Sequence, residues 1–141
     1  MTHVVDVLRQ AVEARDPDEF EDALNLCSGL ELLEGAAELL ISVLMQDWHT
    51  RHEDVASVLQ DFRWPGAVDA LRQRALSAPP DYLAYDNGEA LARKCTWALA
   101  DIGTPDAKAA LKGLEACDIP AVCEYARKRL ERWDAEMARK L

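Results

Sequence analysis

The sequence predicts an all-α fold: a short α-solenoid of about eight helices in antiparallel pairs, forming a single domain over residues 1–141. Three observations carry that prediction. Apolar residues recur at helical spacing, as where Leu91, Cys95, Ala98, Leu99 and Ile102 share one stripe. The connections are short and built from residues that end and start helices. Gly103 can close one helix in a left-handed conformation, Thr104 can cap the next, and Pro105 suits a first helical position because its missing N–H would have been unpaired there. Finally, the pattern repeats. Leu91, Cys95, Leu99 and Ile102 superpose on Val122, Ala126, Leu130 and Trp133 at an offset of 31. Val55, Leu59, Phe62, Pro65, Ala67 and Leu71 superpose on Cys95, Leu99, Ile102, Pro105, Ala107 and Leu111 at an offset of 40.

Taken in order, Thr2 can cap a first helix with Val5, Leu8 and Val12 inward, stopping at Arg15. Asp16 and Pro17 start a second, with Asp18, Glu19 and Glu21 near its positive end and Phe20, Ala23, Leu24 and Cys27 inward; Ser28 and Gly29 end it. A third, over about residues 30–47, is apolar around most of its circumference and so must be covered on several sides. The fourth runs over about residues 53–62, and the fifth restarts at Pro65 and Gly66 with Ala67, Val68, Leu71 and Ala75 inward. The extra nine residues of the longer offset fall in SAPPDYLAYDNG, residues 77–88. That stretch reads as an elongated loop, stiffened by Pro79 and Pro80 and closed by an Asn87–Gly88 turn. The sixth and seventh helices flank Gly103. The last begins after Pro120 and runs through YARKRLERWDAEMARKL, whose mixed charges read as a polar cap closing the solenoid.

Half of the residues are apolar, enough to bury a core without disulfides. The longest apolar run, LLISVLM at residues 39–45, has seven residues where a membrane span needs about 20. The start of the chain lacks the basic flank and apolar block of a secretory signal, so a cytoplasmic protein is expected. Four cysteines, at 27, 95, 117 and 123, form no C-x-x-C pair. Cys27 and Cys95 fall on apolar stripes as small hydrophobes, while Cys117 and Cys123 flank a helix start and could meet, although a cytosolic setting argues against a bridge. The net charge of −10 is unevenly placed: residues 1–54 hold 13 acidic and three basic side chains, and the remainder holds 13 of each. An acidic half repels phosphate backbones and anionic lipids and attracts basic proteins. The expected partner is therefore a protein, with no nucleic acid and no membrane.

Four features are candidates for that contact. Glu31, Glu34 and Glu38 stand three and four apart on the one polar side of the third helix, where a carboxylate row could receive Lys or Arg, or could simply be a solvated face. The corner QDWHTRHED gathers Asp47, Trp48, His49, Arg51, His52, Glu53 and Asp54. It can be read as a metal site on two histidines, as a His–carboxylate general base, as a structural corner with Trp48 wedged between units, or as a contact surface. Its spacing matches no specific metal motif, and nothing supplies a nucleophile or pocket, so the metal and catalytic readings are the weaker two. In the inserted loop Asp81, Tyr82, Tyr85 and Asp86 either fold back on the ridge or face a basic partner. Trp97 lies on the polar side of the sixth helix beside Arg93, Lys94 and Asp101.

The string ALADIGTPDAKAALKGL resembles the helix, short Gly/Pro turn and second helix of HEAT-like repeats, of the kind also found in phycobilisome-lyase-type proteins, and by the offsets above the resemblance covers roughly residues 53–133. It implies an architecture and a habit of binding proteins. The wider set WHTRHEDVASVLQ, YLAYD and LARKCTWALADIGTP is similar to small bacterial HEAT-type immunity partners of polymorphic toxins. With no phosphate loop, G-x-S-x-G or Cys–His spacing in the chain, the expectation is a non-enzymatic immunity protein that needs no metal or cofactor and neutralises a basic toxin through an acidic surface. A general scaffold or complex subunit and a chromophore-lyase-like enzyme are the alternatives. A β-sheet, or a hollow lined by lysines and arginines, would end the expectation of an acidic hollow offered to a basic partner.

Overall fold

Several helices start where a side chain or a proline removes the cost of unpaired N–H groups, as the computed structural model shows over the residues it describes, 2–27 and 34–140. Asp16 Oδ1 accepts from the N–H groups of Asp18 (3.1 Å) and Glu19 (3.2 Å), with Pro17 at the first helical position. Thr104 Oγ1 accepts from Ala107 N–H at 3.1 Å ahead of Pro105. Ten α-helices lie among the described residues, with no strand: α1 (Thr2–Ala14), α2 (Pro17–Cys27), α3 (Glu34–Leu44), α4 (His52–Asp61), α5 (Val68–Leu76), α6 (Pro80–Asp86), α7 (Glu89–Ile102), α8 (Pro105–Glu115), α9 (Pro120–Glu131) and α10 (Trp133–Lys140). A 3-10 turn, Pro65–Ala67, leads into α5. No helix is long and apolar enough to cross a membrane.

Two of the ten helices were not expected from sequence. The inserted stretch is not a loop: Pro79 is extended and its carbonyl accepts from Tyr82 and Leu83 N–H (both 3.0 Å), with Pro80 as the first residue of α6. At the other end Asn87 (φ 60°) and Gly88 (φ 75°) are both left-handed, and Gly88 N–H reaches back to Tyr82 O at 3.1 Å. The last helix is also broken, at Arg132, with no proline or glycine to announce the break. Beyond it α10 turns back over the end of α7. Its Met137 lies against Gly103, and Lys140 Nζ donates to Ala100 O at 2.7 Å, meeting one of the carbonyls that α7 leaves open. Residues 28–33, which include the expected stop at Ser28 and Gly29 and the expected start of the third helix, lie outside the described residues; α3 itself ends at Leu44, three residues early.

The helices form two rows. α1, α3, α5 and α8 make one series of neighbours and α4, α7 and α9 another, with α3 on α4, α5 on α7 and α8 on both α7 and α9. Between the rows lies the core, in which Leu8, Phe20, Leu40, Leu44, Leu59, Leu71, Leu91, Leu99, Leu111 and Leu114 have no exposed surface. Each contributes about 1.5–3 kcal/mol of burial. Cys27 and Cys95 are buried among them, and burial pushes the Cys95 thiol up to about 12.

Candidate functional site

The segment joining α3 to α4 and the start of α4 gather polar and aromatic side chains, and two of them, His49 and His52, are buried. His49 and His52 stack with ring centroids 4.0 Å apart and planes within 13°. Phe20 lies 4.9 Å from His49, Trp48 meets Phe20 and His49 edge-on, and the Tyr82 ring stands across His52 at 5.2 Å. Both histidines are buried, His52 completely. His49 Nε2 donates to Val43 O (2.9 Å) while its Nδ1 accepts from Arg51 N–H (3.0 Å), which fixes a neutral tautomer and leaves no lone pair for a metal or for a proton. His52 Nε2 donates to Gln46 O at 2.6 Å, and its Nδ1 is buried with no partner. Burial depresses both imidazoles, His52 to about 4, and each gains further from the nearby Arg74 charge. Among the described residues no three His, Cys, Asp or Glu side chains are grouped as metal ligands.

The clasp on this corner is Arg74 of α5, a residue that sequence reasoning passed over. Its side chain is 5% exposed and its guanidinium donates to Leu44 O, Gln46 O and Ser77 O, and to Asp47 Oδ1 at 2.5 Å. The signal was present in the sequence: Arg74 occupies an inward position three residues after Leu71. Arg51 adds a half-exposed link from the start of α4 to Glu21 of α2.

The expected contact residues therefore separate. His52 is core and has no surface to offer, contrary to expectation; Trp48 is half-buried against the core, and Asp47 is committed to Arg74. Glu31 lies outside the described residues, as does the side chain of Glu34, while Glu38 is exposed on α3, in the other row from α4 and α7. The remaining group converges. Glu53, Asp81, Tyr82, Tyr85 and Asp86 line one cleft of about 240 Å3 between α4, α6 and α7, with Thr50 and Ala90 completing it.

In that cleft the two tyrosines do different things. The Tyr82 hydroxyl accepts from His52 N–H (3.0 Å) and donates to Thr50 O (2.9 Å), which pins α6 to the start of α4. Tyr85, 89% exposed, projects. Asp86 is tied locally, accepting from Gly88 and Ala90 N–H, whereas Glu53 and Asp81 are exposed and have no ion-pair partner among the described residues.

From this cleft a series of hollows that share lining residues runs along the polar side of α7. Glu53, Ala90, Arg93, Lys94 and Trp97 form its middle. It opens into a larger groove of about 570 Å3 between α7 and α9, lined by Arg93, Thr96, Trp97, Tyr125, Lys128, Arg129, Glu131 and Arg132. Trp97 is thus placed at the surface as expected, but in basic company, with the Arg129 guanidinium 3.5 Å over its ring. A single negatively charged hollow was expected, and the surface instead has an acidic cleft joined to a larger basic one. Compared with protein-family models, with curated proteins and with solved structures, the chain matches none of them.

Proposed function

We propose that this protein is a non-catalytic, HEAT-like α-solenoid that binds another protein, and that a cationic side chain of the partner enters the cleft between α4, α6 and α7. The observation carrying this reading is the convergence of Glu53, Asp81 and Asp86 on the same cleft as an exposed Tyr85. Carboxylates supply attraction to a lysine or arginine, and a projecting aromatic ring is a common binding anchor. The helix-pair spacing and two-row packing support the solenoid. The His49–His52 corner supports a structural role for the residues that could otherwise be read as a general base.

The narrower reading, on the resemblance to small bacterial HEAT-type proteins, is an immunity protein that neutralises a basic toxin in the cytoplasm. Concentration of the net negative charge in residues 1–54 suits fast electrostatic association with such a partner. A scaffold or complex subunit is the alternative, and the two differ in whether co-expression rescues cells from a toxin encoded next to this gene. Once the partner is identified by co-purification from the native cell, calorimetric titration with Asp81→Lys combined with Tyr85→Ala is expected to weaken binding by about tenfold or more, with melting unchanged. Unaltered affinity would remove the cleft from the interface.

A further inference from the structure

An acidic molecule that gathers unpaired cations in one groove needs a reason for them. Lys128 on α9 and Arg132 at its C-terminal cap are four residues apart and joined by the Arg132 N–H to Lys128 O bond. Arg93 and Trp97 are four apart on α7, so each pair sits on one side and the two sides meet across the groove. Arg129 forms its floor, with a side chain only 8% exposed, stacked on Trp97 and bonded to Glu136 of α10 at 2.9 Å. Glu131, the carboxylate among the lining residues, is engaged by Arg127. Among the described residues, no carboxylate pairs with Arg93, Lys128 or Arg132. Like charges held this close repel one another, and an anionic ligand would turn that repulsion into attraction.

We propose that this groove is a second binding site, of opposite sign to the tyrosine cleft, and that it takes a short carboxylate-rich segment of a protein. Two observations favour such a peptide over a nucleic acid. One face of Trp97 is already covered by Arg129, so the ring offers a base less of the stacking platform that single strands use. A long polyanion would also overrun the groove toward Glu53, Asp81 and Asp86 on a chain whose net charge is −10, whereas a few glutamates place their charge only where the cations are. The proposal does not depend on what enters the tyrosine cleft.

Fluorescence anisotropy at low ionic strength with labelled hexaglutamate tests it, using the full chain. Wild type is expected to bind, and Lys128→Glu combined with Arg132→Glu to weaken binding by about tenfold or more, with Arg93→Glu acting in the same direction from the other helix. Lys112→Glu, which makes at an exposed site on α8 the same two-unit charge change as Arg93→Glu, should leave binding within about twofold, and so should Asp81→Lys. Three results would each overturn the site: no binding by wild type, equal losses in Lys112→Glu and the groove variants, or tighter binding of an oligothymidylate of matched charge. Failure here with Asp81→Lys still impairing the natural partner would leave the proposed function standing.

Discussion

Two imidazoles stacked 4.0 Å apart beneath a tyrosine, with a buried guanidinium close by, are stable only while both are uncharged. In the unfolded chain each would take a proton near pH 6.5, whereas in the folded protein burial holds His52 down to about 4 against the Gln46 carbonyl, its main opponent; the other imidazole and Arg74 add smaller depressions and Asp47 a smaller opposing pull. Between those two values the unfolded state therefore binds the extra proton. Stability from this group is complete above about pH 6.5, falls as pH drops toward 4, and changes no further below it, a loss of about 3 kcal/mol over the window. His49 acts in the same direction. Urea midpoints measured from pH 7.5 to 4.5 should fall accordingly, and His52→Gln, which keeps a donor for the Gln46 carbonyl, should flatten the slope; midpoints independent of pH in the wild type would refute the assignment. This corner was half legible. The cluster of Trp48, His49, His52 and Asp47 was plain in the sequence, but not which side of the chain it faced, because that is decided by Arg74, 22 residues beyond His52.

At the scale of the element, the junctions differ in how much they announce themselves. Asp16–Pro17 and Thr104–Pro105 read correctly because cap and first-turn proline act locally. The same logic applied to Pro79–Pro80 would have started α6; two adjacent prolines and an intervening Asp-Tyr-Leu-Ala-Tyr-Asp run instead suggested a stiff loop. Nothing local marks the break at Arg132, which follows from Trp133, Met137 and Lys140 finding partners on the turned-back course. The α6–α7 junction is the most constrained of these. A methyl group on Gly88 would collide with the Ala78 side chain and would sit at a φ of 75° that L residues avoid. Gly88→Ala should therefore cost roughly 2–4 kcal/mol in chemical denaturation. Gly113 in α8 has nothing within 4 Å of the same addition, so Gly113→Ala should stabilise by about 0.5–1 kcal/mol. Equal effects at the two sites would contradict the described junction.

For the whole molecule, the all-helical class and the charge count were readable because they sum over many residues, whereas the division of the surface into an acidic cleft and a basic groove was not. Charge per segment says nothing about which helix faces meet. α7 joins the parts, packing against α4, α5, α8 and α9, and α5 also touches α3 and α8. Trp48 and Trp64 report on the first half, while Trp97 and Trp133 report on the second. Unfolding should be a single transition: urea curves followed by tryptophan fluorescence in a Trp48→Phe, Trp64→Phe variant and in a Trp97→Phe, Trp133→Phe variant should each coincide with that variant's own far-ultraviolet circular dichroism. Two separated transitions would show that α7 does not couple the halves.

The helix α6 has a further meaning for how this molecule could acquire new targets. It lies between α5 and α7, is moored to α4 by the Tyr82 hydroxyl, and leaves Leu83 and Tyr85 facing outward. The residues that could choose a target are thus set apart from those that hold the stack together. Residues 81, 83, 84 and 85 are exposed while Tyr82, Asp86, Asn87 and Gly88 keep the mooring, so under the proposed function a change of target at these positions would not require rebuilding the frame.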